Sequence, residues 1–237
     1  WIRFPIKGAL WYQGESNAWG FPVAGQYLAE LKLLINDWRR QWRRPDLPVL
    51  VVQLPHYPGK RSERPHQLGP WHVVMEAQWR IQAELPRVWT AVTVDLGQEG
   101  NIHPRRKQPV GERLAALARS RVYGRDVAWS GPTLKQAGFE DGRVRLTFDH
   151  VHGGLVARGD KLEGFTIAGK DRHFVWADAE IDGDTIVCSS PRVPRPVAVR
   201  YAMAEGSLFN LYNRAGLPAP PFRTDRWPVD LHPERPR

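Results

Sequence analysis

Residues 8–18 read GALWYQGESNA, an apolar run that passes directly into a polar segment. The run from Leu10 to Tyr12 predicts the end of a strand buried on both faces, since bulky apolar residues without alternation are typical of parallel sheets. The polar residues behind it predict a turn. Two interpretations of this turn stay open: Ser16 is the nucleophile of a hydrolase, or the turn serves a nucleophile that lies elsewhere.

Strand-like and helix-like patterns alternate outward from this stretch. Short apolar runs at 6–12, 47–54 and 88–96 predict three strands. Apolar residues at helical spacing predict helices over 26–42, 70–84 and 110–124. This order is typical of a parallel α/β sheet, in which functional groups collect on loops at the carboxyl ends of the strands. The loops at 13–25, 55–70 and 97–108 are therefore the candidate positions for a site.

The pattern changes after about residue 125. Short alternating runs such as RVRLTFD (143–149), HFVWADAEI (173–181) and TIVCSS (185–190) are separated by turn signals such as EDG and DGD. Strands at this spacing without helices between them predict a small antiparallel β-sandwich. We therefore expect two domains, an α/β domain at 1–125 and a β-sandwich domain at 126–237, with the boundary near 125–131.

Composition excludes several classes of protein. The chain has 237 residues, 42% of them hydrophobic, so it can build a core. Its net charge is +9, but the densest basic cluster, at 37–45, ends a helical pattern and is best explained as a solvated helix face. We therefore expect no nucleic-acid partner. We also expect no membrane partner, because no run of 18 apolar residues occurs. The single cysteine, Cys188, excludes an internal disulfide.

His103 is the first candidate for chemistry. It lies in the third loop, after a predicted strand and shortly before a helix. A histidine there can act as a general base because its ordinary pKa is about 6.5; the alternative is an ordinary surface histidine. The other histidines are weaker candidates: His56, His66 and His72 can line a cleft, and the pair His150 and His152 lacks the further ligands that a metal site needs.

The opening stretch closely resembles the Gln-Gly-Glu-Ser block of sialate O-acetylesterases, which are related to acetylxylan esterases and are placed in the SGNH hydrolase group. Further similar segments are LINDWRRQW (34–42), EAQ (76–78) and GFTIAGKDRHFVWADAEIDGDTI (164–186). The resemblance covers essentially the whole chain. It implies a three-layer SGNH-type hydrolase portion and an enzyme that removes acetyl groups from sugar hydroxyls with a serine and a histidine. It implies no cofactor, no metal, and a periplasmic or secreted location in a bacterium.

The resemblance also implies roles for individual residues. His103 matches the catalytic histidine, and Gln13 with Gly14 matches the block that helps to bind the oxyanion. Glu15 braces that turn or a neighbouring loop, or else it is a carboxylate at a buried edge that pairs with an arginine. Asn17 contributes to substrate binding. Arg105 or Lys107 can pair with a substrate carboxylate such as that of sialic acid. The alternative for both basic residues is a solvated start of the last helix.

The sequence departs from the family pattern at two places. The family's nucleophile lies in an earlier block similar to Gly-Gln-Ser-Asn-Met, and none of the seven serines here has that context. Ser16 is then only a fallback nucleophile. Secondly, Gly100 occupies the position three residues before His103, where many SGNH enzymes place Asp. Asp95, Glu99 or a backbone carbonyl remains to orient the histidine.

These departures leave two hypotheses. The first is a carbohydrate O-acetylesterase represented by a truncated chain, which also fits a sequence that starts without Met or a signal peptide. This chain is then expected to hydrolyse an acetyl ester no faster than a His103→Ala variant. The second hypothesis is a catalytically inactive carbohydrate-binding or scaffold protein of the same fold. The expected partner is an acetylated carbohydrate; the sugar and the oligomeric state stay open.

Overall fold

A computed structural model of the chain describes residues 4–57, 65, 68–98, 100–204 and 208–229. Within these ranges, the first half contains a parallel sheet in the order β1-β2-β3, formed by Ala9–Trp11, Val49–Val52 and Val88–Ala91. The helices between and after these strands are α1 (Phe21–Gln41), α2 (Pro70–Glu84) and α3 (Gln108–Leu117). The expectation of a mixed α/β fold with a parallel sheet is confirmed.

Helices cover both faces of the central strand. All four residues of β2 are buried. Val49 and Val51 pack into one core with the apolar faces of α1 and α2. Leu50 and Val52 point the other way because side chains alternate along a strand, and they pack with Leu117 and Val110 of α3. The buried run VLVV is therefore explained by helices on both sides.

The prediction that β1 is buried on both faces is wrong. Leu10 is 64% exposed, although its register partner Leu50 is only 3% exposed. Ala9 and Trp11 pack toward α1 and α2, whereas α3 contacts β2 and β3 and leaves Leu10 uncovered. Within the described residues β1 pairs with β2 alone, so it forms an edge of the sheet.

The second half consists of antiparallel strands. One sheet has the order β4-β5-β10-β9, another β13-β11-β7-β8, and β12 pairs with β6. The strands are β4 (Thr133–Glu140), β5 (Arg143–Asp149), β6 (Leu155–Ala157), β7 (Phe165–Ala168), β8 (Phe174–Trp176), β9 (Asp178–Asp182), β10 (Thr185–Ser189), β11 (Ala198–Tyr201), β12 (Leu211–Asn213) and β13 (Phe222–Arg223). Both four-stranded sheets contribute to one hydrophobic core that includes Leu146, Ile167, Cys188 and Tyr201.

Several boundaries differ from the sequence predictions. The run at 88–96 ends as a strand at Ala91 and continues into a 3-10 turn at Val94–Leu96. The run HFVWADAEI divides into β8 and β9, which belong to different sheets. The last predicted helix changes into a π-helical segment at Ala118–Val122. The element type changes between Val122 and Thr133, near the predicted boundary at 125–131, and the division into two domains stays a prediction.

Side chains of the second half bind directly to the first half. The Tyr212 hydroxyl on β12 donates a hydrogen bond to Asp95 at 3.2 Å. The Arg223 guanidinium on β13 binds Glu76 of α2 at 2.8 Å. The Phe209 ring contacts His56 edge-on, with 5.2 Å between the ring centres. These contacts bring the β-strands against the carboxyl-end loops of the parallel sheet.

Among the described helices, none is both long enough and apolar enough to cross a membrane.

Candidate active site

The turn after β1 is built around a glycine that no other residue can replace without strain. Gly14 is buried and has φ +153°, a region that side-chain-bearing residues rarely adopt. A Cβ atom there would lie 2.8 Å from Nε2 of Gln78 and 3.0 Å from Cγ1 of Val74. Directly after Gly14, a 3-10 turn runs over Glu15–Trp19. The close approach of this turn to α2 therefore depends on Gly14.

The predicted polar residues of the turn bind one another. The Gln13 side chain donates from Nε2 to Oδ1 of Asn17 at 2.8 Å. Asn17 in turn donates to Oε2 of Glu30 on α1 at 3.0 Å. Glu15 is half-buried and Ser16 is exposed. The amide groups of Gln13 and Asn17 thus fix the turn to α1.

Two buried side chains hold the backbone carbonyl of Gln13. The Tyr27 hydroxyl on α1 donates to this oxygen at 2.7 Å, and Nε2 of Gln78 on α2 donates at 2.9 Å. Burial raises the pKa of the Tyr27 hydroxyl, which therefore remains a donor. In the sequence, Tyr27 is one apolar position of the helical pattern at 26–42. Gln78 lies in the EAQ segment, which was the one signal that pointed to it.

His103 lies in the loop between the 3-10 turn at Val94–Leu96 and α3. Its side chain is exposed, and its backbone N–H donates to Oδ1 of Asn101 at 2.9 Å. Asn101 and Gln98 form an isolated antiparallel bridge that closes the loop. Pro104, which follows, is buried and anchors the exit of the loop. His103 is therefore a solvent-accessible imidazole on a hydrogen-bonded loop.

Asp95 has other partners than His103. Its two carboxylate oxygens accept from both terminal nitrogens of Arg113 on α3, at 2.5 and 2.7 Å. The Tyr212 hydroxyl also donates to this carboxylate. Across the described residues no hydrogen bond joins Asp95 to His103. Glu99, the other acid considered, lies outside the described residues.

Lys107 connects the first and third loops. Its Nζ atom lies 3.2 Å from the Tyr12 hydroxyl and 4.6 Å from the centre of the Tyr12 ring. Tyr12 directly precedes Gln13, so the turn after β1 and the His103 loop meet at this contact. Arg105 is exposed, and its backbone N–H faces Oε1 of Gln98 at 3.4 Å. The structure therefore brings the first and third loops together, as the sheet topology predicted.

The second loop contributes two buried histidines. His56 and His72 are 6% and 3% exposed, with 6.1 Å between their ring centres. Burial lowers the pKa of His56 to about 4 and that of His72 to about 3. The structure describes no hydrogen-bond partner for Nδ1 of His56 or for either ring nitrogen of His72. Both are neutral at pH 7, and His66 lies outside the described residues.

A metal site has no counterpart in the described part of the chain, where no group of three or more His, Cys, Asp or Glu residues is arranged to hold an ion. His150 and His152 lie after the end of β5 with φ +60° and +39°. Their rings stack with 5.9 Å between centres.

Comparisons with known proteins agree on one family. Residues 2–119 match the family model described as "Carbohydrate esterase, sialic acid-specific acetylesterase". The chain is 30% identical to a sialate O-acetylesterase of Mus musculus and 28% identical to that of Homo sapiens, over 92% of its length in both cases. It spans 44% and 45% of these two relatives, less than half of each.

A solved structure extends the match to the fold. The crystal structure of XAC1771, a carbohydrate acetylesterase from Xanthomonas citri, superposes with a TM-score of 0.87 at 40% sequence identity. The superposition covers 95% of this chain and 52% of that protein, so both halves described above take part in it. The chain therefore belongs to the carbohydrate esterase family of sialic acid-specific acetylesterases.

Proposed function

We propose that this protein removes O-acetyl groups from carbohydrates, with His103 as general base and the Gly14 N–H as a donor to the oxyanion. The observation that carries the proposal is the first turn itself. A buried glycine with an unused backbone N–H lies at the carboxyl end of a parallel strand, where such sheets place their sites. The Lys107–Tyr12 contact brings the His103 loop to this turn.

We propose the following reaction for these groups. A serine hydroxyl attacks the acetyl carbonyl carbon while the imidazole of His103 takes the hydroxyl proton. The Gly14 N–H binds the negative oxygen of the tetrahedral intermediate. Collapse of the intermediate breaks the bond to the sugar oxygen, which leaves with the proton from His103. Water then attacks the acetyl-serine in the same manner, and acetate is released.

In this proposal Ser16 is not the nucleophile. It is exposed on the 3-10 turn that begins after Gly14, and in the described residues it has no hydrogen bond to His103. The attacking serine then comes from outside these 237 residues, as the sequence resemblance implies. Asp95 is assigned a structural role because Arg113 and Tyr212 already occupy its carboxylate. A Ser–His pair without this acid is thus the proposed machinery.

The proposed substrate is an acetylated sugar. The names of the relatives specify sialate for the mammalian enzymes and carbohydrate for the bacterial one. Arg105 is exposed beside His103 and can pair with a sialic acid carboxylate, whereas Lys107 already contacts Tyr12. We further propose a periplasmic or secreted location, an SGNH-type hydrolase half and a β-sandwich second half.

The decisive experiment measures acetate release from 4-nitrophenyl acetate and from O-acetylated sialic acid and xylan by the full-length protein. His103→Ala should lower kcat/KM by about 100-fold or more, because it removes the general base. His152→Ala, which changes another exposed histidine, is the matched control and should retain wild-type activity. Ser16→Ala should retain more than half of the activity.

Two results would contradict the proposal. Wild-type protein that binds an acetylated sugar but releases no acetate would support the binding or scaffold alternative. Loss of activity in Ser16→Ala equal to that in His103→Ala would instead identify Ser16 as the nucleophile.

A further inference from the structure

The backbone N–H of Gly14 is an unused donor in a buried position. Gly14 is buried, and its carbonyl accepts the N–H of Asn17 at 3.0 Å. In the described part of the chain its own N–H has no acceptor. Buried backbone N–H groups without a partner are rare in proteins, since each costs the free energy of its lost hydration. This donor is therefore available to a ligand.

The direction of this N–H is set by the other end of the same peptide group. Tyr27 and Gln78 both donate to the Gln13 carbonyl, from the side of α1 and α2. The peptide bond between Gln13 and Gly14 is planar and trans, so its N–H points opposite to its C=O. The two side chains thus direct the Gly14 N–H away from the helices.

Gln78 can take only one orientation at this place. Its Oε1 atom accepts the backbone N–H of Leu54 at 2.7 Å, which leaves Nε2 facing the Gln13 carbonyl. In a flipped amide, Nε2 would face the Leu54 N–H, a second donor, and Oε1 would face the Gln13 carbonyl, a second acceptor. Gln78 is completely buried on α2, so bulk water cannot take the place of either hydrogen-bond partner of its amide. It therefore links the end of β2 rigidly to the turn after β1.

We propose that Gln78 is a positioning residue of the oxyanion site: it holds the Gln13–Gly14 peptide so that the Gly14 N–H meets the developing oxyanion. Tyr27 acts on the same carbonyl from α1. This inference rests on the proposed esterase function. Gln78 itself does not touch the substrate and acts only through the peptide group.

The test compares Gln78→Leu with Gln53→Leu in the full-length protein. Gln53 is the matched control because it is also completely buried and donates from Nε2 to a backbone carbonyl, that of Met75, without contacting Gln13. Gln78→Leu should lower kcat for acetate release by about 10- to 100-fold with KM changed less than about threefold, since a misdirected oxyanion donor affects the transition state alone. Gln53→Leu should keep kcat within about threefold of wild type.

Two further measurements keep the result interpretable. Tyr27→Phe removes only a hydroxyl and should lower kcat by a smaller factor, which covers the case that Gln78→Leu does not fold.

Independently of turnover, the Gly14 amide resonance is followed in protein labelled with 15N-glycine while methylphosphonate, a tetrahedral analogue of the intermediate, is added. Wild type and Gln53→Leu should show saturable shifts, and Gln78→Leu should bind at least tenfold more weakly.

The outcomes separate the two proposals. Wild-type protein without acetate release refutes the esterase function, and the methylphosphonate titration then decides the positioning role by itself. In an active protein, equal kcat values for Gln78→Leu and Gln53→Leu overturn the inference. Equal methylphosphonate affinities of these two variants overturn it as well.

Discussion

At the scale of single residues, Gly14 combines a conformational and a chemical requirement. Its φ of +153° suits glycine, and its Cα atom packs where a methyl group would collide with Gln78 and Val74. The same residue carries the unused N–H that the proposed mechanism needs. One position therefore determines both the path of the chain and the direction of a donor.

Gly14→Ala should destabilise the protein by about 1–3 kcal/mol, because the new Cβ forces the turn away from α2 and the backbone into a strained region. Urea denaturation followed by tryptophan fluorescence measures this free energy of unfolding. Gly111→Ala is the matched control: Gly111 is an exposed residue of α3 with open space around it, so the same change should stabilise by about 0.5–1 kcal/mol. Equal effects of both substitutions would contradict the argument.

The sequence indicated some residues of the candidate site and not others, for a physical reason. The sequence indicated Gly14 and His103 as candidates because their segments resemble a known family and follow predicted strands. The sequence did not indicate the hydrogen bonds that Tyr27 and Gln78 donate to the Gln13 carbonyl, which comes 14 and 65 residues earlier in the chain. Hydrogen bonds across that separation depend on how two helices pack, which no local pattern records.

At the scale of elements, the spacing of apolar residues predicted the bounds of helices better than it predicted which faces of a strand are buried. The bounds of α2, Pro70–Glu84, agree with the prediction because Pro70 favours a helix start and the apolar spacing continues through Ile81. The prediction that β1 is buried on both faces was wrong because burial depends on which strands and helices lie beside a strand. The split of HFVWADAEI into β8 and β9 was missed for the same reason: the sheet to which a strand belongs is a tertiary property.

The carboxylate of Asp95 joins the 3-10 turn at Val94–Leu96 to α3 and β12. The contribution of this carboxylate to the free energy of unfolding can be measured. Asp95→Asn should lower the free energy of unfolding by about 2–3 kcal/mol, because Arg113 loses its partner where both side chains are only 12% exposed. Asp37→Asn is the matched control, since it breaks the exposed pair with Arg40 and should cost at most about 0.5 kcal/mol. Urea denaturation measures both values, and similar losses would refute the structural role of Asp95.

At the scale of the whole molecule, the two halves meet at the carboxyl-end loops through polar and aromatic contacts. Arg223 binds Glu76 and Asp225 together. Burial raises the pKa of the Asp225 carboxyl, but the hydrogen bond and charge of Arg200 and the charge of Arg223 outweigh this effect and hold the pKa below its ordinary value. Phe209 packs against His56 of the second loop. Through these contacts the β-strands support the loops that carry the candidate site.

The buried histidines at this junction predict how stability depends on pH. His56 and His72 stay neutral in the folded protein down to a pH of about 4 and about 3, whereas in the unfolded chain they bind protons below about 6.5. The free energy of unfolding should therefore fall as the pH drops from about 6.5 to 5. Its slope should approach about 2.7 kcal/mol per pH unit for two groups. Stability at higher pH should be unaffected by them.

Denaturation midpoints measured from pH 7.5 to pH 5 check this expectation. His72→Leu should reduce the slope by about half, because one proton fewer is taken up on unfolding. His152→Gln, at an exposed histidine, should leave the slope as in wild type. An unchanged slope in His72→Leu would show that this imidazole does not resist protonation in the folded state.

The uncovered strand β1 also determines how the chain behaves in concentrated solution. In the described residues its outer edge offers free backbone hydrogen-bonding groups beside Leu10, which is largely exposed. Such an edge is a template onto which an equivalent edge of another molecule can add. Colloidal association of this 237-residue chain should then rise steeply with protein concentration. A charged substitution at Leu10 should raise the protein concentration at which the solution stays free of aggregates. It should affect the buried core little.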